Sequence, residues 1–201
     1  MRRRGGRIGR AGRALAVLAT VIAAPILVLR LLFPLPAADG RTASTAIAPS
    51  ERTALGASIL PLAAAHPGTS GFMALENGID AFAARMALIH AAEVSIDAQY
   101  YIWQDDLTGL RLLSELSAAA NRGVRVRLLV DDNGTPGLDQ ELLALSRLPT
   151  AEVRLFNPFV LRSPRSLSYL FDFPRLNRRM HNKSFTVDGV ATIVGGRNIG
   201  N

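Results

Sequence analysis

His181 and Lys183 stand two residues apart, Asp188 follows after four more, and Gly195, Gly196 and Asn198 lie beyond a further six. In an extended strand, residues two apart project to the same side, so this imidazole and this ammonium share one surface. A neutral imidazole is a nucleophile or a proton carrier near pH 7. A lysine beside it favours an anion, an asparagine amide adds a donor, and the paired glycines let backbone come close to whatever lies there. Together they describe phosphoryl chemistry, in which charge on phosphate oxygens is neutralised while a group attacks phosphorus.

Lys183 is the only lysine among 23 basic residues; every other one is arginine. One survivor could stand anywhere by chance. Its place two residues from one of only three histidines ties it to the chemistry, at a spot where a compact ammonium serves and a planar guanidinium would not. The other histidines lack such surroundings: His66 falls in a linker and His90 on a helix face. Asp131-Asp132 reads as a strand terminus with two exposed acids rather than a metal site, since no His, Asp or Glu stands around it at ligand spacing. No metal site is expected.

The elements that must carry these residues follow from periodicity. Residues 76–92 form a helix with Ile79, Phe82, Ala83, Met86 and Ile89 on one face, and residues 94–103 a strand. A helix over 107–121 stops at Gly123, a strand covers 124–130, a helix 138–148 and a strand 152–156. This alternation predicts a layered α/β sheet with some parallel pairs. Residues 183–187 and 190–194 make a hairpin about Asp188-Gly189, a strong two-residue turn signal. The last strand is followed almost at once by Asn201, so the sheet is expected to be incomplete at the carboxyl end. Residues 160–180 scatter arginines among Leu and aromatic residues, the pattern either of a lipid-facing element or of a solvated loop with core anchors.

Charge and hydropathy divide the chain. The formal charge is +7, and Arg2, Arg3, Arg4, Arg7, Arg10, Arg13 and Arg30 supply it; the remainder is net neutral. The basic excess is therefore not a nucleic-acid surface, and no nucleic-acid partner is expected. Residues 14–33 are apolar over about 20 residues, the length a membrane span needs. Residues 1–13 then form a basic cytoplasmic tail, 14–33 a transmembrane signal anchor (the rival is a cleaved signal peptide), 34–70 a linker, and 71–201 the globular part. By the positive-inside bias the chain crosses once and its catalytic part is exported. Cysteine is absent, which removes disulfides, thiolate metal sites and a cysteine nucleophile.

The spacing His181, Lys183, Asp188, Gly195, Gly196, Asn198 resembles the His-Lys-Asp motif of the phospholipase D superfamily. The surrounding segments 96–102, 125–132, 156–159 and 178–183 are similar to its bacterial cardiolipin synthase and phospholipase D branch. The resemblance covers roughly residues 70–201. It implies a layered α-β-α phospholipase D-like sheet of mixed parallel and antiparallel strands, and an enzyme of the bacterial inner membrane acting on phospholipid phosphodiesters. It implies two motifs facing one active site, with His181, Lys183 and Asp188 catalytic and Lys183, Asn198, Gly195 and Gly196 holding phosphate. One histidine forms a phosphohistidine, the other protonates the leaving alcohol, and water or an acceptor alcohol completes hydrolysis or phosphatidyl transfer. No cofactor is required. This chain holds one motif, so the second is expected from a missing carboxyl half or from a second subunit. The alternatives are a single-motif homodimeric nuclease of the same superfamily and an inactive membrane-bound fragment.

Overall fold

The structure is a computed structural model that describes residues 5–37, 39–40 and 42–201. Arg2, Arg3 and Arg4 of the expected basic tail lie outside the described residues, as do positions 38 and 41 of the expected linker. Two compact units are present: Met1–Arg41 with Phe159–Arg178, and Thr42–Pro158 with Arg179–Asn201.

The second unit carries the sheet. Alternating apolar residues give β1 (Ser95–Tyr100) and β2 (Arg125–Asp131), and β3 (Ala151–Phe156) follows beside them. The hairpin supplies β4 (Lys183–Val187) and β5 (Ala191–Val194). The strand order is β3-β2-β1-β4-β5. β1, β2 and β3 are parallel, while β4 runs antiparallel to β1 and β5 antiparallel to β4. The α/β class and the mixed sheet agree with expectation. Ile96, Ala98 and Tyr100 on β1, Val126, Leu128 and Val130 on β2, and Phe185 and Val187 on β4 join one buried cluster. Helices α3 (Gly78–Ala91), α4 (Leu107–Asn121) and α5 (Asp139–Ser146) complete it through Ile89, Leu112, Leu116, Leu142 and Leu145. Asn77 and Asp106 cap α3 and α4 by accepting from the amides of Asp80 and Gly109, and Gly123 ends α4 at φ +95.

Alternate residues turn to the opposite face and form a ladder of charge. Asp97, Arg127 and Glu152 are register neighbours on β1, β2 and β3, with Arg127 donating to Asp97 and Arg154 pairing with Glu152. The carboxylate of Asp97 holds the Arg127 guanidinium above its ordinary pKa.

Three expectations change. Residues 42–64, read as linker, fold onto this unit: α2 (Ala54–Ala64) is capped by Thr53, and Arg127 and Arg154 donate to the carbonyls of Ser44 and Thr42. Short-range periodicity misses this segment because its partners are distant backbone groups. On α3, Ile79 is exposed and Arg85 is buried instead, because the guanidinium finds the Tyr100 hydroxyl at 2.8 Å and the Ala81 carbonyl at 2.6 Å. Asp131 and Asp132, expected to be exposed, are fully buried.

In the first unit, α1 (Gly5–Leu32) includes Ala11–Leu32, a stretch long and apolar enough to cross a membrane. A 3-10 turn (Arg165–Ser168) leads into α6 (Tyr169–Leu176), so residues 160–180 hold a helix rather than only a loop.

Candidate functional site

The turn Asp188-Gly189, both residues at positive φ, joins β4 to β5, and β4 in turn lies against β1 with Lys183 opposite Tyr100 and Val187 opposite Ile96. His181 and Lys183 therefore arrive at the carboxyl ends of the parallel strands, the edge at which open α/β sheets place ligands. Lys183 Nζ lies 3.4 Å from His181 Nδ1 and donates to the His181 carbonyl at 3.2 Å. The Tyr101 ring stands 4.8 Å from the imidazole, centroid to centroid, and the ammonium lies 5.4 Å from the same ring. His181 is exposed and Lys183 half-buried, so the pair is supported from behind and open in front.

Backbone bonds fix the approach. The Tyr101 amide donates to the Asn182 carbonyl at 3.0 Å, and the Asn182 side chain donates to Gln99 at 2.8 Å. Asp131, the last residue of β2, accepts from the Met180 amide at 2.9 Å, from Arg179 Nη1 at 2.8 Å and from the Asn133 amide at 2.9 Å. A fully buried carboxylate thus ties down the two residues immediately before His181.

Asn198 reaches the same end of β1 from the other side. Its Oδ1 accepts from the Ile102 amide at 3.2 Å, and Ile199 brackets Ile102 and Gln104 with two backbone bonds. Asn198 also lines a cavity of about 380 Å³ with Arg85, Gln104, Thr108 and Arg197. Gly195 and Gly196 are exposed, and a Cβ added at either would meet nothing within 4 Å.

Asp188 is not brought to His181. It lies beyond the opposite end of β4, five residues and roughly 17 Å from Lys183 at about 3.3 Å per residue, and further still from His181. Its carboxylate is buried and accepts from the amides of Val94 (2.8 Å), Ser95 (2.8 Å) and Glu93 (3.1 Å). Three of its acceptor directions are spent on the chain entering β1, at the end of the sheet away from the imidazole. The geometry thus places Asp188 apart from His181 and Lys183, in the hairpin turn. Tyr101 and Asp131 are site residues that sequence reasoning missed. The run Tyr100-Tyr101 at a strand end and the acid at the end of the neighbouring strand were the only signals available.

Residues 86–201, more than half the chain, match the family described as cardiolipin synthase, PLD-like domain. Cardiolipin synthase C of Escherichia coli (strain K12) is 63% identical over 146 residues, covering 73% of this chain and 31% of that protein. Major cardiolipin synthase ClsA of Bacillus subtilis (strain 168) is 35% identical over 126 residues, covering 63% of this chain and 24% of that protein. The chain therefore spans a third or less of the length of these curated relatives. Among solved structures, NucT from Helicobacter pylori superposes with a TM-score of 0.43 at 18% identity, over 60% of this chain and 67% of that one. With the match spanning residues 86–201, the chain belongs to the phospholipase D superfamily, in its cardiolipin synthase branch.

Proposed function

We propose that this chain supplies one half of a phosphodiester-cleaving site that acts on membrane phospholipids as a cardiolipin synthase-like phosphatidyltransferase. The observation that carries this reading is the open pair of His181 and Lys183, 3.4 Å apart at the carboxyl end of the parallel strands. A lone pair of the imidazole attacks phosphorus, forming a nitrogen–phosphorus bond as the phosphorus–oxygen bond to the leaving alcohol breaks. A second histidine, from the remainder of a longer polypeptide or from a second copy, gives that alcohol its proton. An acceptor alcohol, or water, then gives its proton to that second histidine and displaces the imidazole, breaking the nitrogen–phosphorus bond. Lys183 and the Asn198 amide donors neutralise phosphate oxygens as charge develops, and the uncrowded backbone at Gly195 and Gly196 admits the phosphate group. Asp188 acts through the fold, by seating the hairpin that delivers His181. The domain reading that accompanies this function has α1 as a single-pass anchor in the inner membrane, with the arginine-rich start in the cytoplasm.

The test is substitution in the full-length protein. His181→Ala is expected to abolish phosphatidyl transfer while the far-UV spectrum is kept. Lys183→Arg is expected to lower kcat by about 10²–10³-fold, because a planar fork cannot replace a point charge against phosphate. Normal turnover of a phospholipid substrate by His181→Ala refutes the assignment.

A further inference from the structure

The first compact unit joins the end of α1 to α6. Arg30, in the last turn of α1, donates from Nε to the Phe171 carbonyl at 2.8 Å, and its Nη2 lies 3.9 Å from Asp172. Phe33 stacks on Phe171 with ring centroids 6.4 Å apart. Phe171 and Leu176 are buried, whereas Leu170 is 70% exposed, Phe173 55% and Leu167, in the preceding turn, 45%. Three large apolar side chains at three-residue spacing are thus uncovered along this segment, which is kinked at Asp172. Arg162 and Arg178, at the two ends of this segment, are exposed as well.

We propose that Leu167, Leu170 and Phe173 form a membrane-inserting ridge, seated in the interface of an anionic bilayer at the depth where α1 leaves the hydrocarbon. The inference deepens the proposed function and rests on its reading of α1 as a span. Residues 11–32 measure about 33 Å at 1.5 Å per residue, close to the roughly 30 Å of a hydrocarbon core. Arg30 and Phe33 therefore fall at its boundary, and whatever they hold is held there. Apolar side chains at that depth meet acyl chains rather than water. The same α1 that fixes the depth identifies the partner as lipid.

The chain has no cysteine, so single-cysteine labelling is clean. Leu170→Cys and Phe173→Cys are labelled with an environment-sensitive fluorophore in the full chain, reconstituted in phosphatidylethanolamine–phosphatidylglycerol vesicles. Leu18→Cys on α1 reports the span, and Leu143→Cys, 51% exposed on α5, serves as the reference for an exposed leucine. The expected result is quenching at 170 and 173 by shallow nitroxide lipids, with iodide access several-fold below that at 143, and quenching at 18 by deep nitroxide lipids. Quenching at 18 alone, with 170 and 173 as open to iodide as 143, overturns the ridge and leaves the anchor standing. Protection at 170 and 173 without lipid quenching assigns the ridge to a protein partner and also overturns the proposal. Quenching at 170 and 173 without quenching at 18 supports the ridge and overturns the anchor.

Discussion

Asp131 holds the backbone on the approach to His181, and it does so as a charged group with no exposure to water. Bonds to a buried carboxylate are stronger than neutral ones, and removing one partner strands the others. Asp131→Asn keeps the size but loses the charge facing Arg179 and one of the acceptor oxygens. Urea denaturation is expected to show a loss of about 2–4 kcal/mol. In the full-length enzyme, at temperatures where the variant is still folded, kcat falls while KM stays close to its starting value. An unchanged kcat in the folded variant shows that Asp131 serves stability alone. Lys183 could be singled out from composition, because one lysine among arginines is visible in a list. Asp131 could not, because its value comes from Arg179 and Met180, nearly 50 residues further along the chain.

At the scale of elements, the hairpin β4–β5 decides where the chemistry sits. The Asp188-Gly189 dipeptide announces the turn from sequence, and both residues do take positive φ. The three amides of residues 93–95 that Asp188 accepts were invisible, since they come from the entry to β1. Asp188→Ala removes both acceptor oxygens, and with them all three bonds, and leaves a residue without a polar side chain at φ +51. A loss of about 3 kcal/mol is expected in thermal or urea unfolding. Folded enzyme below the new midpoint keeps most of its turnover, and complete inactivity there returns Asp188 to the chemistry. The α3–β1 contact makes a pH prediction. Burial pushes the Tyr100 hydroxyl above its ordinary value of about 10, against the opposing pull of Arg85. A raised folded value means that the stabilisation is complete below about pH 10 and is lost as pH rises through the folded pKa. Melting temperature is therefore expected to fall above pH 10 more steeply in the wild type than in Tyr100→Phe.

For the whole molecule, charge and hydropathy are segregated: the basic excess lies at the start and the remainder is balanced. Deletion of residues 1–33 is expected to move the full-length protein from the membrane pellet toward the carbonate-extractable fraction. The ridge on α6 leaves residual, salt-sensitive binding to anionic vesicles. Retention of the deleted protein in the pellet after carbonate shows that a span lies elsewhere. The sheet keeps its opposite-charge ladder of Asp97, Arg127 and Glu152, so the fold of the second unit is expected to survive that deletion.

The sequence by itself determined the motif, its family and most strand and helix positions, because these depend on neighbours along the chain: period two, period 3.6, a two-residue turn. The tertiary structure alone decided which motif residues meet. Antiparallel pairing of β4 with β1 sends His181 and Lys183 to one end and Asp188 to the other. Parallel pairing of β2 beside β1 brings Asp131 under Met180, and the return of residues 198–200 along 102–104 delivers Asn198. Such contacts join segments dozens of residues apart, and their geometry is set by register and crossover rather than by any local spacing.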